Sequence, residues 1–479
     1  MKTTKFEGEM KLGNRLRLAA ALMAATMLAG CVVGPDYRKP EIALPVGWTQ
    51  GLTTPSADVP ALWWKQFRDP VLDSVIETAV SGSPSIASAK ARVEEARASY
   101  RQEIGADAPH MDGAASARRS RSPGATYASQ YQPAVDASWE VDVFGGAVRR
   151  REGAAAGLQA SEQDLRDAYV SLVGEITTNY VNVRGYQARL ALARRTAGSQ
   201  RTTLGLTTSK MDAGAASMLD VENARALLAT TEAGVPDLEA AYLQTVHRLA
   251  TLSGKAPGEL AEMMRYAGRV PAVRALPKAG IPADVVARRP DVRAAERRYA
   301  ASVAKVGAAR ADRYPRISLA GSISTSAAKM GDLARSSSIG WSVGPSVTVP
   351  LLDAGRLAAA EDVARFQSDE VFQGYRQSVL GALEDVENAL VASAQDRAKL
   401  SKLSVSADAY AKVVKMTKSS YADGASDFFE VVSAERSLFS AQDALIRAQV
   451  AVAVDFVSLN KALGGGWDGE TPIRAAAKK

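Results

Sequence analysis

Few residues in this chain are equipped for chemistry. There is one cysteine, Cys31, and there are two histidines, His110 and His247, far apart in sequence. No glycine-rich phosphate loop and no nucleophile elbow accompanies them, so neither a catalytic constellation nor a metal site is expected. What remains is a set of carboxylates beside two glycine turns: Asp212 and Asp220 around Gly214, and Asp423, Asp427 and Glu430 around Gly424. Carboxylates crowded at a constriction bind cations or repel one another, while at the start of a helix they complement its dipole. Both uses are open to these residues.

Cys31 has a chemistry of its own. Lys2, Lys5, Lys11, Arg15 and Arg17 precede an apolar run over residues 18–29 that is too short to span a bilayer, the pattern of an export signal. The run ends in Leu28-Ala29-Gly30-Cys31, which resembles the bacterial lipobox, where the cysteine sulfur takes a diacylglycerol before cleavage. Residues 1–30 are therefore expected to leave as a signal peptide. That makes a lipid on Cys31 the only expected non-protein group; an incidental buried cysteine is the alternative. Each buried CH₂ of an acyl chain contributes about 0.8 kcal/mol, so a multiply acylated cysteine anchors durably. Val32 stands where an aspartate would signal retention in the inner membrane. Glu7 and Glu9 are unusual in a basic leader, and Met10-Lys11 makes a cleaner start than Met1, so both starts stay open. With a single cysteine no intramolecular disulfide can form, and stability must come from packing and assembly.

The elements that position these residues repeat. Matching features recur at an offset of about 206 to 210 residues. Pro84 and Pro290 open alanine-rich helical stretches that end before Pro109 and Pro315, as proline at the first turn and past the end suggests. Segments of period two follow, such as Ile339, Trp341, Val343, Val347 and Val349 against Gly340, Ser342, Gly344, Ser346 and Thr348. In the first copy Val135, Trp139, Val141 and Val143 alternate with Asp136, Ser138, Glu140 and Asp142. Strands of about ten residues with one apolar face fit a tilted transmembrane β-strand, although a soluble half-buried sheet alternates too.

Long helical patterns come next, over 147–210 and 356–421, with apolar residues at spacings of three and four. Sixty residues at 1.5 Å each reach roughly 90 Å. Both patterns stop at the glycine turns and resume near Ser217 and Asp427, which read as N-caps, before ending at Gly254 and Gly464. Across the turns Leu219 matches Phe429, Asp220 matches Glu430 and Leu228 matches Leu438. Pro236 inside the first returning helix predicts a bend, since an interior proline costs about 3 kcal/mol. Four strands cannot close a barrel, and an open edge in lipid leaves backbone groups unsatisfied, so other copies must complete the sheet.

Composition agrees with thin helices rather than a thick core: 47% of residues are hydrophobic but only 6% aromatic, and 23% are charged with both signs interspersed. Residues 1–30 hold five basic and two acidic residues, so their removal lowers the net charge from +7 to +4, too even and modest an excess to suggest nucleic acid.

Three signatures now carry a resemblance that covers nearly the whole chain. They are Gly34-Pro35-Asp36-Tyr37 with Pro40, then Trp63-Trp64-Lys65-Gln66-Phe67 with Asp69-Pro70-Val71-Leu72, and Ile281-Pro282-Ala283-Asp284 through Arg289-Pro290-Asp291-Val292-Arg293-Ala294-Ala295-Glu296. Together they resemble the outer-membrane factors of tripartite efflux systems, specifically their lipoprotein branch. The resemblance implies an α+β membrane protein of two structural repeats. In it three chains, four strands each, form a 12-stranded transmembrane β-barrel continuous with a long periplasmic α-helical barrel. It further implies a lipid-anchored outer-membrane protein that extends into the periplasm and works with a periplasmic adaptor and an inner-membrane transporter. Such a homotrimer is a passive exit duct for small molecules and not an enzyme. A protein-secretion duct shares the fold but usually lacks a lipobox, and a structural coiled-coil envelope lipoprotein would need no alternating strands.

The expected organisation is a signal peptide at 1–30, a lipid-anchored segment at 31–70, repeats at 71–280 and 281–466, and a tail at 467–479. By resemblance the helix tips carry the periplasmic gate. Phe429, with Phe428 beside it, stands at the apolar constriction, and Asp212, Asp220, Asp423, Asp427 and Glu430 crowd the same turns. Arg436 matches an arginine that pairs with neighbouring acids in relatives. Gly214, Ala215, Gly424 and Ala425 resemble adaptor contacts, although a turn that needs glycine's φ explains the glycines equally well.

Overall fold

A computed structural model describes residues 32–466 except 50–59, 125, 267, 274–276 and 278. Cys31, the signal peptide and the tail lie outside the described residues. Helices α1 (Pro70–Gly82) and α2 (Pro84–Ala106) lead into strands β1 (His110–Ser120) and β2 (Ala128–Val141). Helix α3 (Gly146–Asp212) and its return α4 (Met218–Leu252) complete the first repeat. The short helices α5 (Ala261–Met264) and α6 (Pro282–Arg288) connect it to α7 (Pro290–Ala311), β3 (Arg316–Thr325) and β4 (Ile339–Thr348). Helices α8 (Arg356–Ala422) and α9 (Phe428–Ala462) form the second long hairpin.

The duplication is close. Helices α3 and α8 are both 67 residues long, and α4 and α9 are both 35. A 67-residue helix reaches roughly 100 Å at 1.5 Å per residue. The buried face of α3 explains its persistence: Leu165, Tyr169, Leu172, Ile176, Tyr180, Val183, Gln187 and Leu190 recur at threes and fours. Helix α4 continues through Pro236 rather than ending there. Among the described residues no helix is long and apolar enough to cross a membrane.

The chain divides into two compact units. One holds Val93–Ser161, Ala294–Tyr375 and the N-terminal residues up to Glu41, and contains the whole sheet. The other comprises Ile42–Arg92, Glu162–Arg293 and Arg376–Lys479, and contains the long hairpins' tips. In the second unit Trp48, Val285, Val386, Leu390, Leu459 and Leu463 form one apolar cluster. Trp48 also donates its indole N–H to the Gly280 carbonyl at 3.0 Å.

Candidate functional site

The sheet is one antiparallel layer in the order β1-β2-β3-β4, so β1 and β4 are its open edges. β2 is longer than expected at 14 residues, and it ends at Val141, leaving Val143 beyond the strand. Directly paired residues share a face, and the register makes that face uniform. Val135 pairs with Ile323 and Ile323 with Trp341; Trp139 pairs with Leu319; Ile317 lies between Val141 and Val347. On β1, Ala117 pairs with Tyr131 and Ala115 with Pro133. The opposite face carries Asp112, Asp136, Ser322 and Ser342 in one row and Glu140, Ser318 and Ser346 in another. Trp341 on the apolar face is 76% exposed, and Val343 and Val347 stand open beside it. A single chain cannot bury this face, and its size marks an interaction surface.

The first described residues are fastened beside the point where β2 gives way to α3. Val33 donates its N–H to the Phe144 carbonyl at 3.0 Å. Gly145 has φ +78°, and a Cβ there would meet the Val32 side chain at 2.7 Å, so two constraints demand glycine. Gly34 crosses Gly307 so closely that a Cβ would stand 2.5 Å from its Cα. Asp36 accepts from the buried Arg149 at 2.7 Å, and Arg149 also reaches Glu152 at 2.8 Å. Tyr37 donates to Glu296, which Arg297 also grips. Burial opposes the Glu296 charge, but the hydrogen bonds from Arg297 and Tyr37 win and hold its carboxyl below the usual range. Every residue of Gly34-Pro35-Asp36-Tyr37 except the proline thus has a visible task.

The other two signatures act inside the second unit. Trp63 and Phe67 set their rings edge-on to Phe456 at 5.9 and 5.3 Å. Asp69 caps α1 by accepting from the Val71 N–H and also accepts from the Tyr180 hydroxyl, which Arg184 holds in turn. Arg289 pairs with Asp291 at 2.7 Å and Asp385 at 2.8 Å and donates to the Ala462 carbonyl at the end of α9. These contacts line a cavity of about 200 Å³ that Asp167 and Lys461 share. Burial, then the nearby Asp291, raises the Asp167 carboxyl above its ordinary value.

At the tips the two repeats turn identically. Gly214 and Gly424 have φ +72° and +73°, and Ala215 and Ala425 donate to the carbonyls of Lys210 and Ser420. This is the Schellman ending, which satisfies carbonyls that a helix terminus leaves bare. Ser217 and Asp220 form a reciprocal capping box, and Asp427 accepts the Phe429 N–H at 3.2 Å. Asp220 and Asp427 are therefore occupied as caps, while Asp212, Asp423 and Glu430 stand exposed.

The aromatic pair divides. Phe428, expected beside Phe429 at the constriction, is instead 2% exposed, packed on Tyr421, Leu227, Val431 and Val432. Phe429 is 69% exposed, as is Leu219 at the matching place in the first repeat. Arg436 is exposed. Two pairs were not evident in the sequence: Lys210 donates to the Tyr421 carbonyl at 2.8 Å with its ammonium over the Tyr421 ring, and Lys418 pairs with the buried Glu435 at 2.5 Å. A lysine in a helix's last turn is the available signal for the first of these. Among the described residues no group of His, Cys, Asp or Glu could hold a metal ion.

The model of the outer membrane efflux protein family matches residues 75–255 and again 281–465, one match on each repeat. Nodulation protein T of Rhizobium leguminosarum bv. trifolii is 36% identical over 92% of this chain and 96% of its own length. The toluene efflux pump outer membrane protein TtgI of Pseudomonas putida is 32% identical over 93% of this chain and 97% of its own. The solved outer-membrane channel OprN superposes with a TM-score of 0.84 at 36% identity, covering 91% of this chain and 100% of that one. The chain belongs to the outer membrane efflux protein family, which are transport ducts of the outer membrane and not enzymes.

Proposed function

We propose that three copies of this chain close into a 12-stranded outer-membrane barrel and serve as the passive exit duct of a tripartite pump for small molecules. An inner-membrane transporter supplies the energy, and a periplasmic adaptor docks at the helix tips and dilates them. The observation that carries this reading is the four-stranded sheet, with open β1 and β4 edges and one face that is apolar from Val141 to Tyr131 along β2. Edges cannot stay open in hydrocarbon, so β4 of one copy must pair with β1 of the next. The apolar face then meets lipid, and the face bearing Asp112, Asp136 and Glu140 lines the lumen.

Lipidation of Cys31 fits the same reading, because Val32 and Val33 are fastened beside the end of β2, where a strand leaves the bilayer. The exposed Phe429 and the carboxylates Asp212, Asp423 and Glu430 are the gate-lining groups, and Gly214, Ala215, Gly424 and Ala425 are the adaptor's contacts.

The test is assembly and conductance. Purified protein is expected to be trimeric in detergent and to conduct weakly in planar bilayers, more so when Phe429 and the tip carboxylates are changed to alanine. Monomers without conductance, in the variant as in the parent, would refute the duct. Labelling with radioactive palmitate should mark the parent and not Cys31→Ala.

A further inference from the structure

The ends of the two β-hairpins remote from the helices carry a charge the duct does not account for. Between Asp112 and Asp136 the only charged residues are Arg118, Arg119 and Arg121. In the β3–β4 connection Asp332 is taken by its own neighbour Arg335 at 3.0 Å, which leaves Lys329 exposed. The two connections lie together, since Tyr131 and Ala327 exchange backbone hydrogen bonds at 2.9 and 3.1 Å. Arg119 and Arg121 stack on one ring, with guanidinium carbons 5.0 and 5.2 Å from the centroid of Tyr127. Two like charges share one aromatic in a hairpin end whose own sequence holds no carboxylate, a concentration of positive charge that suits an anionic ligand.

Register says which anion. Arg119 pairs with Ser129 two residues beyond the Ala117–Tyr131 pair, so it stands on the apolar face at the point where that face ends. A soluble polyanion passing through the lumen would meet the other face, where Arg118 lies. A guanidinium at the rim of a lipid-facing surface sits at headgroup depth, and its planar fork suits bidentate contact with phosphate. The geometry points to a binding site, built from Arg119, Arg121 and Tyr127, for the phosphate groups of the glycolipid in the outer leaflet of the outer membrane. The inference rests on the sheet being part of a transmembrane barrel with its helices on the periplasmic side.

Binding of purified lipopolysaccharide to the full-length protein in neutral detergent tests it, with phosphatidylglycerol and inorganic phosphate as competitors. Arg119→Gln/Arg121→Gln is expected to weaken binding at least tenfold, with bilayer conductance retained. Enzymatically dephosphorylated lipopolysaccharide should bind the parent protein at least tenfold more weakly than the intact lipid. This second arm decides the matter if the double variant fails to assemble. Unchanged affinity in either arm, or competition by phosphatidylglycerol at parity with lipopolysaccharide, overturns the site. Displacement by millimolar inorganic phosphate alone would reassign it to free phosphate. A parent protein without conductance would instead overturn the barrel reading on which the site depends.

Discussion

At the scale of single residues, neighbours of similar type have opposite roles. Phe428 and Phe429 differ by one position, yet a helix turns about 100° between them, which sends one ring into the hairpin and the other to solvent. Phe428→Ala should cost about 3 to 5 kcal/mol, the range for a buried phenylalanine, read as a lowered thermal midpoint in detergent. Phe429→Ala should change stability by no more than about 0.5 kcal/mol and act on conductance alone. If the two variants destabilise equally, the division of the pair is wrong.

Asp455 is a second case at this scale. Burial first and the facing Asp396 second push its carboxyl up to about 6. A raised acid stabilises the native state below its unfolded value near 3.8, and that contribution fades as pH climbs through about 6. Asp455→Asn removes the cost of the charge, so it should raise the thermal midpoint at pH 8 and have little effect at pH 4. Equal shifts at both values would mean the residue acts by packing.

At the scale of elements, the two faces of β4 should respond differently to the same charge. Val343→Arg puts a cation on the lipid face, where about 2 to 4 kcal/mol opposes it near the bilayer midplane, so outer-membrane recovery of the trimer should fall sharply. Ser342→Arg lies on the other face and should insert normally while shifting the ion selectivity of the conductance. Equal recovery of both variants would show that the faces are misassigned. The tips make a parallel case, because the glycines meet a backbone requirement. Gly424→Ala forces a side chain into positive φ at a cost of about 1 to 2 kcal/mol, visible in unfolding.

At the scale of the whole molecule, the apolar sheet face and the open edges cannot be satisfied inside one chain, so function belongs to the assembly. A strain lacking this protein should accumulate at least one class among a panel of dyes, antibiotics, solvents and metal ions, and the parent gene should reverse it. Accumulation unchanged across the panel, in a strain with no other duct, would count against export.

Much of this was legible in the sequence because it depends on local periodicity. Period two marked the strands, three-four spacing marked the long helices, and glycines near residues 214 and 424 marked the turns, each through backbone geometry that neighbouring residues dictate. The duplication and the motif residues were legible for the same reason, and with them the family. Partnership was not, because it depends on residues brought together across long separations. Nothing near Tyr37 announces Glu296, nothing near Lys418 announces Glu435, and nothing in the order of side chains says that Phe428 turns inward onto Tyr421. The pairing of β2 with β3 is also tertiary, and it alone joins the alternating segments of the two repeats into one continuous apolar face.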